Sequence, residues 1–492
     1  MMRRAALLAA MLEAVHGQSI TAMQGEANRI MDVLTATEPA QNGLKGSLFA
    51  ATAEFCDTFG HRQVGTANLE NSIDWVFQRL QADGFQNVRK EQAAVKVWQR
   101  GEESCTLLAP TIGEQPSYDV AMLGLGGSVG GDVTAPVLVI DSWDELETAA
   151  RYGGVQGKIV VFNQEWTGYQ SAGVYRSMGP SVAQKAGAVG VLIKSLASFS
   201  LKSPHTGATR YMSSIPSNVG LPPGLTGAVT GAPIPAAAIS VEDAELFARM
   251  RNRGTPMTIR LQMGAQNLPD ATSYNTVAEI RGTEFPNEVV MLSGHLDSWD
   301  VGQGAMDDAG PAFTAWQALR AIKQLGLAPR RTIRLILWTS EEIGGGASAY
   351  YSYGSANFRE LDDYSLAMEL DSGVWDPRGL RFVGNQAAAD IMRQIASLLD
   401  PIDAGRLLLP AALGSSVQRA QFDVQSNYGA TCGNCIGADV ATPLEQGVPG
   451  ASILFETNNV FLGPMDDEND TPPPKFRTSN RRSAESHSLT LS

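Results

Sequence analysis

GHLDSWDVGQGAMDD, residues 294–308, follows directly on the apolar run Val289-Val290-Met291-Leu292. A short continuous apolar run reads as a strand buried on both faces. This one ends in an imidazole, His295, and is followed by Asp297, Asp307 and Asp308. The strand fixes the first ligand while the loop lets the others converge, which is how a metal site is assembled. Beyond the loop, Ala312, Phe313, Trp316, Leu319 and Ile322 recur on one face of a helix, with Pro311 tolerated in its first turn. Ile333 to Trp338 reads as a further strand, ending in Thr339-Ser340-Glu341-Glu342 before Gly344-Gly345-Gly346. Tyr364 to Leu370 reads as another and ends in Asp371. Strands alternating with helices predict an α/β fold with a mainly parallel central sheet flanked by helices.

His295, Glu341, Glu342 and Asp371 all follow the C-terminal ends of these strands, the edge where open α/β sheets gather their ligands. Zinc suits the set, because neutral imidazole and carboxylate oxygen both bind it. Two zinc ions would leave such a centre cationic enough to polarise a carbonyl and acidify water. A carboxylate bridging two metals needs a rigid approach, and Gly302-Gln303-Gly304-Ala305 supplies a tight turn before Asp307. Of the neighbours Glu341 and Glu342, one can ligate metal while the other takes a proton; spacing does not say which. Glu369 competes with Asp371, and only strand register separates them. Each motif has an ordinary reading: the paired aspartates could cap the following helix, and the paired glutamates could be a solvated charge pair. Three such sites after strands of one region argue instead for one metal centre.

The 492-residue chain is long enough for two or three domains, and its 43% hydrophobic and 18% charged residues are those of a soluble globular protein. A net charge of −14 argues against nucleic acid or an anionic membrane surface as partner. No segment reaches the roughly 18 apolar residues that span a bilayer. Residues 1–17, with Arg3 and Arg4 before an Ala/Leu/Met run, read as a signal peptide, which predicts a secreted or lysosomal protein. Cys56, Cys105, Cys432 and Cys435 are compatible with two bridges; the lone CxxC pair is assigned no chemistry. Early in the chain, Leu69, Ile73, Val76 and Leu80 predict a helix capped by Thr66 and stopped at Gly84. Between about Val133 and Met250, short apolar runs such as Ile159 to Phe162 and Val189 to Ile193 predict a small α/β or β-rich insert with its own core. His205, isolated in a loop there, reads as a local hydrogen-bonding group.

Residues 294–308, LWTSEEIGGG (337–346) and YSLAMELDSG (364–373) together resemble the di-zinc metallopeptidase family that includes bacterial aminopeptidases and glutamate carboxypeptidases. The similarity runs on through WQRGEES (98–104), GKIVVFNQ (157–164), SLASFSLKSPHTG (195–207) and SYNTVAEIRG (273–282), from about Phe55 to Phe455. The resemblance implies a zinc-exopeptidase domain split between residues 18–115 and 265–456, a β-rich protease-associated insert over 116–264, and a divergent tail over 457–492. It implies that His295 and Asp371 bind different zinc ions, that Asp307 bridges them and that Glu342 is a further ligand. Glu341 would be the general base, Asp297 would orient His295 through its second ring nitrogen, and Asp308 would fix the peptide after Asp307. The family would also bring a last His ligand, in an HSxxDT-like segment shortly after Gly447-Val448-Pro449-Gly450-Ala451; this sequence has no histidine from there until His487. The expected function is hydrolysis of dipeptides or short peptides with a free terminus. The alternative is a catalytically inactive member acting in binding or dimerisation. Peptide substrates and a homodimer are the partners the resemblance implies.

Overall fold

The computed structural model describes residues 20–36, 43–343, 361–371, 373–409, 436–445 and 447–455. The expectations placed on residues 1–17, on Gly344 to Gly346, on Cys432 and Cys435, and on the 457–492 tail with His487 lie outside the described residues. One eight-stranded sheet runs in the order Gln86–Gln99, Gln266–Ile280, Arg331–Trp338, Phe285–His295, Tyr364–Glu369, Gly450–Phe455, Pro377–Val383, Arg406–Leu408. Its four central strands, Arg331–Trp338 to Gly450–Phe455, are mutually parallel. Its margins are not, which corrects the mainly parallel expectation. Gln86–Gln99 and Gln266–Ile280 pair antiparallel, the latter runs antiparallel to Arg331–Trp338, and Pro377–Val383 runs antiparallel to Gly450–Phe455. The reason lies in burial. Arg331–Trp338 is buried at every position, as a covered parallel strand must be, whereas Gln86–Gln99 alternates buried and exposed residues, which suits an antiparallel ribbon wetted on one face.

Helix Ala67–Ala82 forms where the spacing predicts it. Thr66 accepts the Leu69 amide, Leu69, Ile73, Val76 and Leu80 are buried, and Gly84 turns the chain with φ +69°. Helix Gly310–Gln324 follows the acidic loop and lies almost wholly buried beside helix Ser47–Phe59, where Phe313 packs on Phe55 and stacks on Trp75.

A second eight-stranded sheet is built from the middle of the chain and includes Glu103–Ala109, which pairs with Thr258–Met263. It therefore starts before residue 116. Gly131–Ile140, Ile159–Phe162, Gly190–Lys194 and Ala236–Ile239 are parallel in it. With them come helices Trp143–Arg151, Tyr169–Lys185 and Val241–Asn252, so this region is an α/β layer rather than a β-rich one. Cys56 and Cys105 are buried free thiols, not bridged. Among the described residues, no helix is long and apolar enough to cross a membrane.

Candidate metal centre

Register brings the polar residues to one edge. His295 closes its strand opposite Trp338, so Glu341, three residues further, leaves the sheet at the same level. Ser293 pairs with Glu369, which puts Asp371 level with His295. Asp371 Oδ1 lies 3.7 Å from His295 Nε2. Glu369 is instead sealed inside, with Oε2 accepting the Val440 amide.

Asp307 reaches the same nitrogen from the loop, with Oδ1 3.2 Å from His295 Nε2. Ligand atoms of His295, Asp307 and Asp371 all lie within 4.8 Å of one another. Glu342 stands beside this trio, close enough for its charge to act on Asp307, rather than within it. The loop is aimed by Gly304, whose φ of +55° favours glycine and whose Cβ would meet Ser298 at 2.3 Å. Arg62, fully buried, donates to the carbonyls of Leu296, Gln303 and Gly304 and so braces both ends of the loop. The Asp307–Asp308 peptide is cis, and Asp308 Oδ2 accepts the His295 amide at 2.8 Å. Gly294 makes that approach feasible, since a Cβ there would stand 2.6 Å from the Asp308 carboxylate.

Asp297 ties the two strand ends together. Its main-chain oxygen lies 3.0 Å from His295 Nδ1, and its Oδ1 3.4 Å from the same atom. Its carboxylate accepts the amides of Glu341 at 2.9 Å and Glu342 at 3.1 Å. These bonds hold the turn at Ser340, a non-glycine residue at φ +67°.

The electrostatics call for a cation. Burial, followed by the charges of neighbouring carboxylates, pushes the Glu342, Glu369 and Asp439 carboxyls well above the usual range. Burial and the surrounding carboxylates push Glu341 up to about 8. Burial works against a charged His295, but Asp297, Asp307, Asp308 and Asp371 outweigh it and draw a proton onto the ring. Deep within the cluster, both oxygens of Asp439 and one of Glu369 have no hydrogen-bond partner. Asp307 is ringed by these groups, yet 65% of its side chain is open to water, so an ion and a substrate can reach it. One imidazole and several carboxylates carrying surplus negative charge form a donor set that fits zinc, which would take the place of the proton on His295.

Sequence reasoning missed Arg62, Asp439 and three residues of the middle region. Tyr169 and Arg176, on helix Tyr169–Lys185, and the loop residue His205 all lie within electrostatic range of the acidic cluster. His205, expected to be a local hydrogen-bonding group, keeps its buried Nδ1 without a partner. The one signal was the SPHTG segment, which lay inside the family resemblance but far from the metal motifs.

Comparison with known proteins gives concordant matches. The family described as Peptidase family M28 matches residues 275–461. Carboxypeptidase Q of Mus musculus is 45% identical over 410 residues, which are 82% of this chain and 77% of that one. Carboxypeptidase Q of Bos taurus is 43% identical over 441 residues, 89% of this chain and 82% of that one. A Peptidase M28 precursor from Shewanella amazonensis superposes with a TM-score of 0.72 at 26% identity, covering 88% of each chain. A zinc aminopeptidase from Bacillus subtilis shares the fold, with a TM-score of 0.53 at 16% identity over 85% of this chain and 88% of that one.

Proposed function

From the premise that this chain belongs to the carboxypeptidase Q-like members of peptidase family M28 and is a metallopeptidase, we propose that it is a di-zinc exopeptidase acting on dipeptides or short peptides with a free terminus. The observation that carries this reading is the meeting of His295, Asp307 and Asp371 within 4.8 Å at the C-terminal edge of a parallel sheet. Those three residues and Glu342 would hold the ions, with Asp307 shared between them. Zinc bound there supplies polarisation of the scissile carbonyl and acidification of water. Glu341, anchored through its amide to Asp297, takes the proton of the attacking water on its carboxylate and returns it to the leaving amine. Its carboxyl is pushed up to about 8 in the metal-free site by burial and by neighbouring carboxylates, so neutralising those neighbours brings its ionised form back into the neutral range. Asp308 and Asp297 hold His295 from its amide and from Nδ1, leaving Nε2 directed at Asp307 and Asp371.

One observation favours a catalytically silent relative, namely that the sequence carries no histidine between Phe455 and His487. The two readings part on metal content and turnover. The exopeptidase reading expects about two zinc ions per purified chain, and dipeptide hydrolysis abolished by a chelator and restored by zinc. One ion or none, with no hydrolysis of a dipeptide panel, establishes the silent relative. Delivery to the secretory pathway belongs to the same proposal and rests on residues 1–17.

A further inference from the structure

We propose that Arg176 is the receptor for the free C-terminal carboxylate of the substrate, so that the middle region gives the centre a carboxypeptidase or dipeptidase specificity. This rests on the exopeptidase reading above. The middle region is seated on the catalytic loop itself. The ring of Trp299, in the motif that carries His295, fills the place a side chain on Gly126 would take, with a Cβ there only 2.1 Å from the indole. Gly126 in turn donates its amide to the Gly207 carbonyl at 2.9 Å. Gly207, at φ +145°, presents bare backbone to Arg176, whose Cζ would lie 2.4 Å from a Cβ. The chain of contacts from Trp299 through Gly126 and Gly207 therefore delivers a guanidinium to the metal centre, where it feels the charges of Glu341 and Glu342.

The guanidinium is held but not used up. Nη1 donates to the Thr206 carbonyl at 3.1 Å, and the group lies over the Tyr169 ring with its carbon 5.2 Å from the centroid. Nε is buried with no acceptor. His205 meets the other side of Tyr169 edge-on, with ring centroids 5.7 Å apart, and burial together with Arg176 pushes its imidazole down to about 4. At neutral pH it is therefore an uncharged polar group that adds no second cation.

An alternative role for Arg176 is to offset the surplus of carboxylates. That role lapses once those carboxylates are committed to zinc, because a fixed guanidinium then faces a centre whose charge is already compensated. Such a cation calls for an anion, and the planar fork of a guanidinium matches a carboxylate. The amino terminus of a peptide would be repelled at the same place. The arrangement thus selects the free carboxyl end of a short substrate.

The test uses zinc-loaded Glu341→Gln protein, to stop turnover, with Ala-Leu and its C-terminal amide as calorimetric probes. The free acid is expected to bind about tenfold or more tighter than the amide. Adding Arg176→Gln should erase that gap, and Arg176→Lys should restore part of it. Equal binding of acid and amide, binding of neither, or a gap that survives Arg176→Gln overturns the proposal; the last outcome would assign the preference to the metal centre. The acid-against-amide comparison needs no Arg176 variant, so it stands even if Arg176→Gln fails to fold. Hydrolysis by the unaltered protein without acid preference sinks this inference and leaves the peptidase standing. Carboxylate-selective binding without hydrolysis does the reverse.

Discussion

Asp297 is the residue on which both ends of the site lean. Its main-chain oxygen faces the His295 ring, and its carboxylate takes two amides across the left-handed turn at Ser340. A left-handed residue other than glycine costs of order 1–3 kcal/mol and persists only where its surroundings hold it. Removing the carboxylate leaves both donors without their acceptor, at about 1–3 kcal/mol each. Asp297→Ala is therefore expected to lower stability by roughly 2–5 kcal/mol and zinc affinity about 10–100-fold, read by denaturant unfolding and by competition with a chelator. Unchanged values for both would sink the account of this residue. Glu341→Gln probes a different quantity, since it keeps the shape of the side chain and removes the base. Turnover should fall about 10²–10⁴-fold while zinc content stays as it was. Loss of zinc with turnover would mean that Glu341 is a ligand and not the proton carrier.

Among the elements, helix Val241–Asn252 shows how one carboxylate can pin a distant loop. Glu242, in its first turn, accepts the Ser200 hydroxyl and the amides of Ser200, Leu201 and Lys202, the last two being left-handed. Partial burial works to raise its carboxyl, but these donors outweigh it and hold the group at about 2. The folded value lies below the unfolded one of about 4.3, so the contribution is full above that pH and is lost as pH falls toward 2. Glu242→Gln should accordingly lower the melting temperature at pH 7, and the gap to the parent should narrow as pH drops from about 4 to 2. A gap constant over that range would separate the loop from the charge. Nothing in the sequence announces this contact, because its partners lie some forty residues apart and neither belongs to a periodic pattern. Helix Ala67–Ala82 was legible for the opposite reason: Thr66, the apolar series from Leu69 to Leu80 and Gly84 are all local signals. The strands ending at His295, Trp338 and Glu369 were legible as apolar runs, and their register then selected Asp371 over Glu369. The antiparallel margins were not legible, since pairing between Gln86–Gln99 and Gln266–Ile280 joins segments separated by the whole middle region.

At the scale of the whole molecule, the question is what keeps that middle region over the metal centre. Arg100, 8% exposed, gives Nε and Nη2 to the Asp300 carboxylate at 2.8 and 2.6 Å and Nη1 to the Gly124 carbonyl at 2.6 Å. One guanidinium thus joins the catalytic loop to the strand that leads into Gly126, and the Thr206 hydroxyl meets the same Gly124 carbonyl at 2.9 Å. The motif quoted for its ligands is therefore also a clasp, with Trp299 and Asp300 gripping the region that carries Arg176. Breaking a buried, bidentate pair from one side strands the remaining charge, which is why single and double replacements should not add. Asp300→Ala and Arg100→Ala are each expected to destabilise the protein, with a coupling of about 1–3 kcal/mol in the double-mutant cycle. If the clasp positions the substrate, Asp300→Ala should also raise KM for a dipeptide about tenfold, equivalent to about 1.4 kcal/mol of lost seating. Zinc content should not change, because neither residue touches the cluster of His295, Asp307 and Asp371. Additive effects, or a KM left where it was, would make Arg100 and Asp300 a surface ornament of the fold. Coupling with a raised KM and full zinc would show that the catalytic loop and the middle region act as one recognition surface.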